Sequence, residues 1–352
     1  MLLRIFGWSL GLTAVTLIGA LIVGGVKALV LVAVLCVLEI SLSFDNAVVN
    51  ATILGRMSAS WQRLFLTVGM LVAVVGMRLA LPLVLVGVTA RLGPVTTVRL
   101  ALAGGDVDQP GTYPAVLHDA HPAIAAFGGV FLLMLFLEFV FTDRPVTWLT
   151  WLERPLQRIG RLAQLQVVVA LVALMASAEF LAPEPGTVMT AGGLGLVAYL
   201  LVNGLGSLFG GADVRAGVAA TGRAGLFLFL YLEVLDASFS FDGVIGAFAI
   251  TQDIFVIAAG LGVGAMYIRS ITTLLVRKGT LARYVYLEHG AHWAIGALAL
   301  ILLVSIRYEV PEVVTGLIGV VFIAAATMSS TARNRGVAAA ARRREVAFSD
   351  AR

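Results

Sequence analysis

Apolar residues run through this chain in blocks of about 20, separated by short polar clusters. That is the length a helix needs to cross a bilayer, roughly 20 residues at 1.5 Å each. Ten such blocks are predicted, near 5–25, 28–54, 64–89, 122–142, 165–182, 187–210, 223–251, 253–276, 291–308 and 312–330. The first block is longer than the apolar stretch of a leader peptide and turns at Gly24 and Gly25 straight into the second. It therefore reads as a retained helix. Three polar segments interrupt the pattern: an external loop at 90–121, a cytoplasmic loop at 143–163, and a basic tail at 331–352.

Composition sharpens this into a class. Hydrophobic residues make up 60% of the 352 and charged residues only 12%, against about 25% charged in a soluble domain. One cysteine, Cys36, excludes a disulfide framework and a cysteine-based metal cluster. The expected fold is an all-α polytopic membrane protein forming one transmembrane domain over 1–330. Eighteen of the 24 Lys and Arg residues fall on one side of the ten-span arrangement, four on the other and two inside spans. By the positive-inside rule both termini are cytoplasmic, in a cell (plasma) membrane. Topology already accounts for the basic charge, so nucleic acid is not an expected partner. The tail fits a solvated anchor on an anionic leaflet, and Trp148 and Trp151 fit an interfacial aromatic belt.

A repeat lies inside the apolar background. Residues 38–48, LEISLSFDNAV, and 235–245, LDASFSFDGVI, agree at five of eleven positions, and Glu39 and Asp236 both place a carboxylate at the second. Each motif is followed by a lone arginine in an apolar segment, Arg78 or Arg269, at 33 and 27 residues from Asp45 and Asp242. The motif helices are the second and seventh spans, so they cross in opposite senses. This predicts an inverted-topology repeat, about 5–89 and 187–276, with a site near the bilayer midplane. The spans at 122–182 and 291–330 lie outside it.

At about 100° per residue, Ser43, Asn46 and Asn50 fall within roughly 40° of Glu39, while Asp45 points about 120° away. Asp236 and Ser240 repeat the first stripe, and Asp242 repeats the direction of Asp45. For Glu39 and Asp45 to share one ligand, the helix must break between them, and both motif helices are expected to be broken. Each central charge costs about 2.5–3.5 kcal/mol on insertion scales. Two arginines offset two carboxylates among Glu39, Asp45, Glu233, Asp236 and Asp242, leaving an acidic excess that wants protons or a cation. Carboxylates with amide and carbonyl oxygens form a hard ligand set suited to Mg2+, Ca2+ or Mn2+. Two Asp–Arg pairs that only lock the fold are the competing reading.

Weaker candidates are Glu138, near a span end, and His289 with His292, one turn apart, which could bind metal or serve as ordinary interfacial residues. Asn203 fits a helix–helix hydrogen bond. Enzyme readings fare poorly: EHGAH has the wrong order for a zinc protease, and the acids carry extra carboxylates and amides that an aspartyl dyad does not need.

At these residues the sequence resembles the TerC family of integral membrane proteins. EISLSFDN at 39–46 is similar to its first signature and DASFSFDG at 236–243 to its second. FDNAVVNATIL, YLEVLDASFSFDGVIGAFAIT and YLEHGAHWAIGALA resemble a longer branch of unsettled function. The resemblance runs over most of 1–330. It implies divalent-cation transport, most often manganese efflux, and a link to tellurite resistance. It also implies coordination by Glu39, Asp45, Asn46, Asp236 and Asp242. The residue pattern itself adds Ser43, Asn50, Arg78, Glu138, Glu233, Ser240, Arg269, His289 and His292 as supporting or gating candidates. Gly243 departs from the polar residue usual in the family, and both loops exceed those of a minimal member.

The leading expectation is a non-enzymatic transporter of a divalent cation as substrate, with no tightly bound cofactor. The lipid bilayer is its partner, and a homo-oligomer is compatible with the sequence. The alternative is a non-transporting membrane factor in metal supply or in assembly of secreted and membrane proteins.

Overall fold

The computed structural model describes residues 2–69, 92–105, 108–215, 220–251, 253–277, 284–308 and 310–350, with scattered positions between 71 and 87. The side chains of 2–4, 45, 205–215, 237–242, 245–246, 248–249, 312–313 and 337–350 lie outside the described residues. In chain order the helices are α1 (Leu2–Leu42), α2 (Phe44–Leu54), α3 (Ala59–Leu64), α4 (Pro94–Ala103), α5 (Tyr113–Phe141) and α6 (Thr150–Ile159). They continue with α7 (Leu165–Phe180), α8 (Pro185–Arg215), α9 (Gly222–Ile250), α10 (Ile254–Arg277), α11 (Leu287–Ser305) and α12 (Glu312–Asp350). A π-turn over Phe65–Gly69 extends α3.

The chain is thus all-helical among the described residues, and six of these helices hold stretches long and apolar enough to cross a membrane. They are Ile5–Leu42, Tyr113–Phe141, Pro185–Gly204, Ile254–Arg277, Leu287–Ser305 and Val314–Gly336. The expected span at 64–89 lies largely outside the described residues.

The first stretch is two helices joined at a reversal. Gly25 sits at φ 68°, ψ −164°, a backbone conformation that a side chain would strain. Before it, Ser270 donates to the Ile5 carbonyl and Ser9 donates to that of Met266, so the order along α10 is reversed. After it, Leu35 packs on Gly260, Glu39 on Gly264, and Thr272 reaches the Ala47 carbonyl, so the order is the same. The chain turns back at Gly25 and lays both halves of α1 along α10.

Small residues set these approaches. A Cβ on Gly260 would stand 2.5 Å from that of Leu35, and one on Gly296 2.7 Å from the Phe136 ring. In an apolar solvent, helices associate through such close packing rather than through hydrophobic exclusion. Buried Phe131, Leu132 and Met134 make α5 the centre of the core, against α8, α9 and α11.

Three segments differ from the sequence expectation. The segment expected as an external loop holds α4, which starts with Pro94 in its first turn, and the start of α5, where Thr112 caps the Ala115 amide. The segment expected as a cytoplasmic loop holds α6. The tail is not separate from the last span but continues it as α12, because its alanines and arginines favour helix intrinsically.

Candidate functional site

Glu39 lies in the last turn of α1, one turn before Ser43. Ser43 breaks the helix with φ −100°, ψ 13°, in the sparsely occupied bridge region. The break is a single residue wide: the Ser43 amide still donates to the Glu39 carbonyl at 3.0 Å, and the Ala47 amide to Ser43 at 3.2 Å. The Ser43 hydroxyl donates to Glu39 Oε1 at 2.9 Å. The expected break in the first motif is therefore present.

The second motif is different. Helix α9 is continuous through 236–243, which corrects the expectation of two broken helices. A continuous helix satisfies its own backbone, which matters most where water is absent. Approach is achieved here by a missing side chain: a Cβ on Gly243 would stand only 3.1 Å from Glu39 Oε2. On the other flank, a Cβ on Gly264 would stand 2.5 Å from both Cβ and Cγ of Glu39. Glu39, 1% exposed, is thus clasped between glycines of α9 and α10.

The two motifs meet directly. Asn46 Nδ2 donates to Asp236 Oδ1 at 2.6 Å, and both residues are buried. Just beyond the end of α2 and before the start of α9, the Ala220 amide donates to the Arg56 carbonyl at 2.9 Å; with the Asn46–Asp236 contact this makes α2 and α9 antiparallel. Toward that end, Asn50 follows Asn46 by one turn and Glu233 precedes Asp236 by one. Asn50 Oδ1 and both oxygens of Glu233 are buried without a hydrogen-bond partner among the described residues. Glu233 is 6% exposed and presses on the π-turn, where a Cβ on Gly69 would stand 2.6 Å from its Oε1.

Asp45, Asp242 and Ser240 occupy α2 and α9, with side chains outside the described residues, and Arg78 lies outside them altogether. Among the described residues no three His, Cys, Asp or Glu side chains converge as a metal cluster would require. The described part of the site is two carboxylates, an amide and a hydroxyl, with a third carboxylate one turn away.

Arg269 does not balance these acids. It lines a groove with Leu12, Thr16, Leu66 and Leu71, and pairs with no acid among the described residues. Its place on α10 turns it toward the first half of α1, whereas Gly264 faces the second. The histidines also part company. His289 Nδ1 lies 3.1 Å from Glu153 Oε1, while His292 Nδ1 lies 2.8 Å from the Glu288 carbonyl and its ring stacks on Phe139 at 3.8 Å. A shared metal needs both rings aimed at one point, and these are held apart.

A second polar region opens at the arginine-rich end, in a cavity of about 450 Å3 lined by Arg56, Glu138, Arg144, Asn203, Tyr231 and Glu288. Glu288 accepts from Arg144 at 3.4 Å and pairs with Arg56 at 3.6 Å. Asn203 donates to Glu138 at 3.0 Å, the interhelical bond expected of it. Burial lowers the Arg144 guanidinium from its usual range, and Glu288 works against that shift. The cavity lies about two turns along α2 and α9 from Asn46 and Asp236.

Sequence reasoning missed Glu153. Its Oε1 accepts from Trp293 Nε1 at 3.1 Å and its Oε2 from the Trp148 amide at 2.9 Å, which with His289 pins α6 to α11. Burial acts to raise the Glu153 carboxyl, but its His289 and Trp293 partners and the Trp148 amide outweigh that, so it titrates below the usual range. The pattern Thr150-x-x-Glu153, a capping-box signature, was the available signal.

These features define a helical protein of membrane character with a buried acid–amide site between two antiparallel helices. The chain belongs to the DUF475 family, described as a protein of unknown function, whose model matches residues 44–337. The match includes Asp45, Asn46, Asp236 and Asp242 and begins just after Ser43. None of the curated proteins matches the chain, and neither does any solved structure.

Proposed function

We propose that the protein moves a divalent cation, Mn2+ foremost, out of the cell by alternating access at the site between α2 and α9. The observation that carries this reading is the Asn46–Asp236 hydrogen bond of 2.6 Å, which joins the two repeated motifs in the protein interior. Glu39 lies about two turns from Asn46, in a cleft that glycines keep open for its side chain. Carboxylate, amide and hydroxyl oxygens suit a hard cation.

In this reading the chain has ten spans, and the motifs belong to halves of opposite topology. The antiparallel course of α2 and α9 supports that arrangement. The arginine-rich end faces the cytoplasm, and the cavity beside Arg56 and Glu288 is the inner vestibule. Arriving metal displaces two protons from the set of Glu39, Asp236 and the motif aspartates Asp45 and Asp242, which leaves the buried charge unchanged. The TerC-like signatures point to the same substrate class.

Proteoliposomes containing the purified protein test this. Mn2+ flux is expected in the wild type and is expected to vanish in Glu39→Gln, Asp236→Asn, Asp45→Asn and Asp242→Asn. Metal binding with no flux under any gradient sinks the transporter reading and favours a non-transporting metal-supply factor.

A further inference from the structure

Helix α6 is amphipathic, and its buried face is tied down at three points. Glu153 holds α11, Gln157 is buried one turn on, and a Cβ on Gly160 would stand 2.5 Å from the Phe141 carbonyl at the end of α5. The segment is a fixed element rather than a loose basic loop. Its position follows from its neighbours: α6 lies between the end of α5, a candidate span, at Phe141 and the start of the shorter apolar helix α7 at Leu165.

Two kinds of side chain remain on the outside. Trp151, Ile159 and Leu162 are exposed, Trp151 by 76%, with no protein surface to cover them. Beside them Arg154 and Arg158, one turn apart, join Arg161 and Arg144 around a pocket of about 330 Å3. Its one acid is Asp143, whose pair with Arg161 at 3.8 Å is largely exposed and weak. Glu288 offsets the Arg144 charge from the far side, so the other three guanidinium groups and Asp143 leave the pocket a net charge near +2.

We propose that this pocket binds the phosphate headgroup of an anionic phospholipid, with Arg154, Arg158 and Arg161 as the principal ligands and Arg144 at its inner edge. Arginine's planar fork matches phosphate oxygens in pairs. Trp151, Ile159 and Leu162 choose the lipid over free phosphate: on the same short segment they enter the interface beside the acyl chains, where amphipathic helices place their apolar face. Arg144 also borders the cavity beside Glu288, whereas Arg154, Arg158 and Arg161 stand apart from it.

The full-length protein in neutral detergent tests this by native mass spectrometry and by thermal unfolding. Phosphatidylglycerol is expected to remain as a discrete adduct and to raise the unfolding midpoint, while phosphatidylcholine does neither. The triple variant R154Q/R158Q/R161Q is expected to weaken phosphatidylglycerol binding by about a hundredfold, from the contribution of each basic residue at an anionic surface. R154K/R158K/R161K, which keeps the charge but loses the paired fork, should bind between the wild type and the glutamine triple, which separates lost charge from failed folding. R342Q/R343Q/R344Q in the tail should leave the adduct intact. Equal retention of the two lipids by the wild type, or an unchanged adduct in the glutamine triple, overturns the proposal. Stabilisation by inorganic phosphate equal to that by phosphatidylglycerol assigns the pocket to a free anion and overturns the lipid assignment.

Discussion

Asn46 and Asp236, 190 residues apart in sequence, share a hydrogen bond of 2.6 Å in the interior of the protein. Removing the donor leaves a buried carboxylate short of a partner, which costs about 1–3 kcal/mol. Asn46→Ala is expected to lower stability by that amount and Mn2+ affinity by at least tenfold. Asn46→Asp, which sets two acids against each other, should be worse unless metal or a proton is present. Unfolding measured with and without Mn2+ checks both, and an Asn46→Asp chain that metal does not stabilise would count against a cation site here.

The two glycines beside Glu39 should respond differently. Gly264→Ala meets the Glu39 stem at 2.5 Å and the Cys36 carbonyl at 3.0 Å, so α1 must leave α10; a loss of about 1–3 kcal/mol is expected. Gly243→Ala meets only the tip of the carboxylate at 3.1 Å. That tip can move, so stability should change little while flux falls. Thermal unfolding and liposome flux on the pair separate packing from function.

Among the described residues, Glu233 has no hydrogen-bond partner for either oxygen. A charge there is costly, so Glu233→Gln is expected to leave stability within about 0.5 kcal/mol of wild type or to raise it. A drop larger than about 2 kcal/mol in chemical unfolding would mean that the carboxylate is held by a partner after all. The pH dependence of flux in the same variant tests whether Glu233 carries a proton.

Glu153 gives a pH prediction outside the spans. Its folded pKa lies below the ordinary 4.5, so its contribution to holding α6 is complete above that value and is lost as pH falls through the lower folded one. Hydrogen exchange at residues 150–159, corrected for the intrinsic rate, should show α6 released as pH falls below the ordinary carboxylate range. Glu153→Gln should flatten that profile. A wild-type profile with no acid-dependent release of α6 would sink the assignment.

Much of this was legible in the chain. Among the described residues the apolar blocks fall on helices, the break in the first motif follows from its serines and acids, and the kinship of residues 38–48 with 235–245 anticipates their helices meeting. Helical periodicity and repeat are local or internal properties, so they survive in the sequence. The intact second motif, the idle Arg269 and the divided histidines were not legible. Each depends on which neighbour a side chain meets, and Gly243, Gly264 and Phe139 come from distant parts of the chain.

The sequence by itself determined that this is a helical chain of membrane character with charge concentrated at one end and acids in two related motifs. Hydropathy and charge act residue by residue, and no partner is needed to read them. Only the tertiary structure decided that the chain reverses at Gly25, that Asn46 bonds Asp236, and that Glu153 fastens an arginine-lined helix to α11. Those outcomes rest on packing between helices, where the absence of a single Cβ sets how closely two backbones approach.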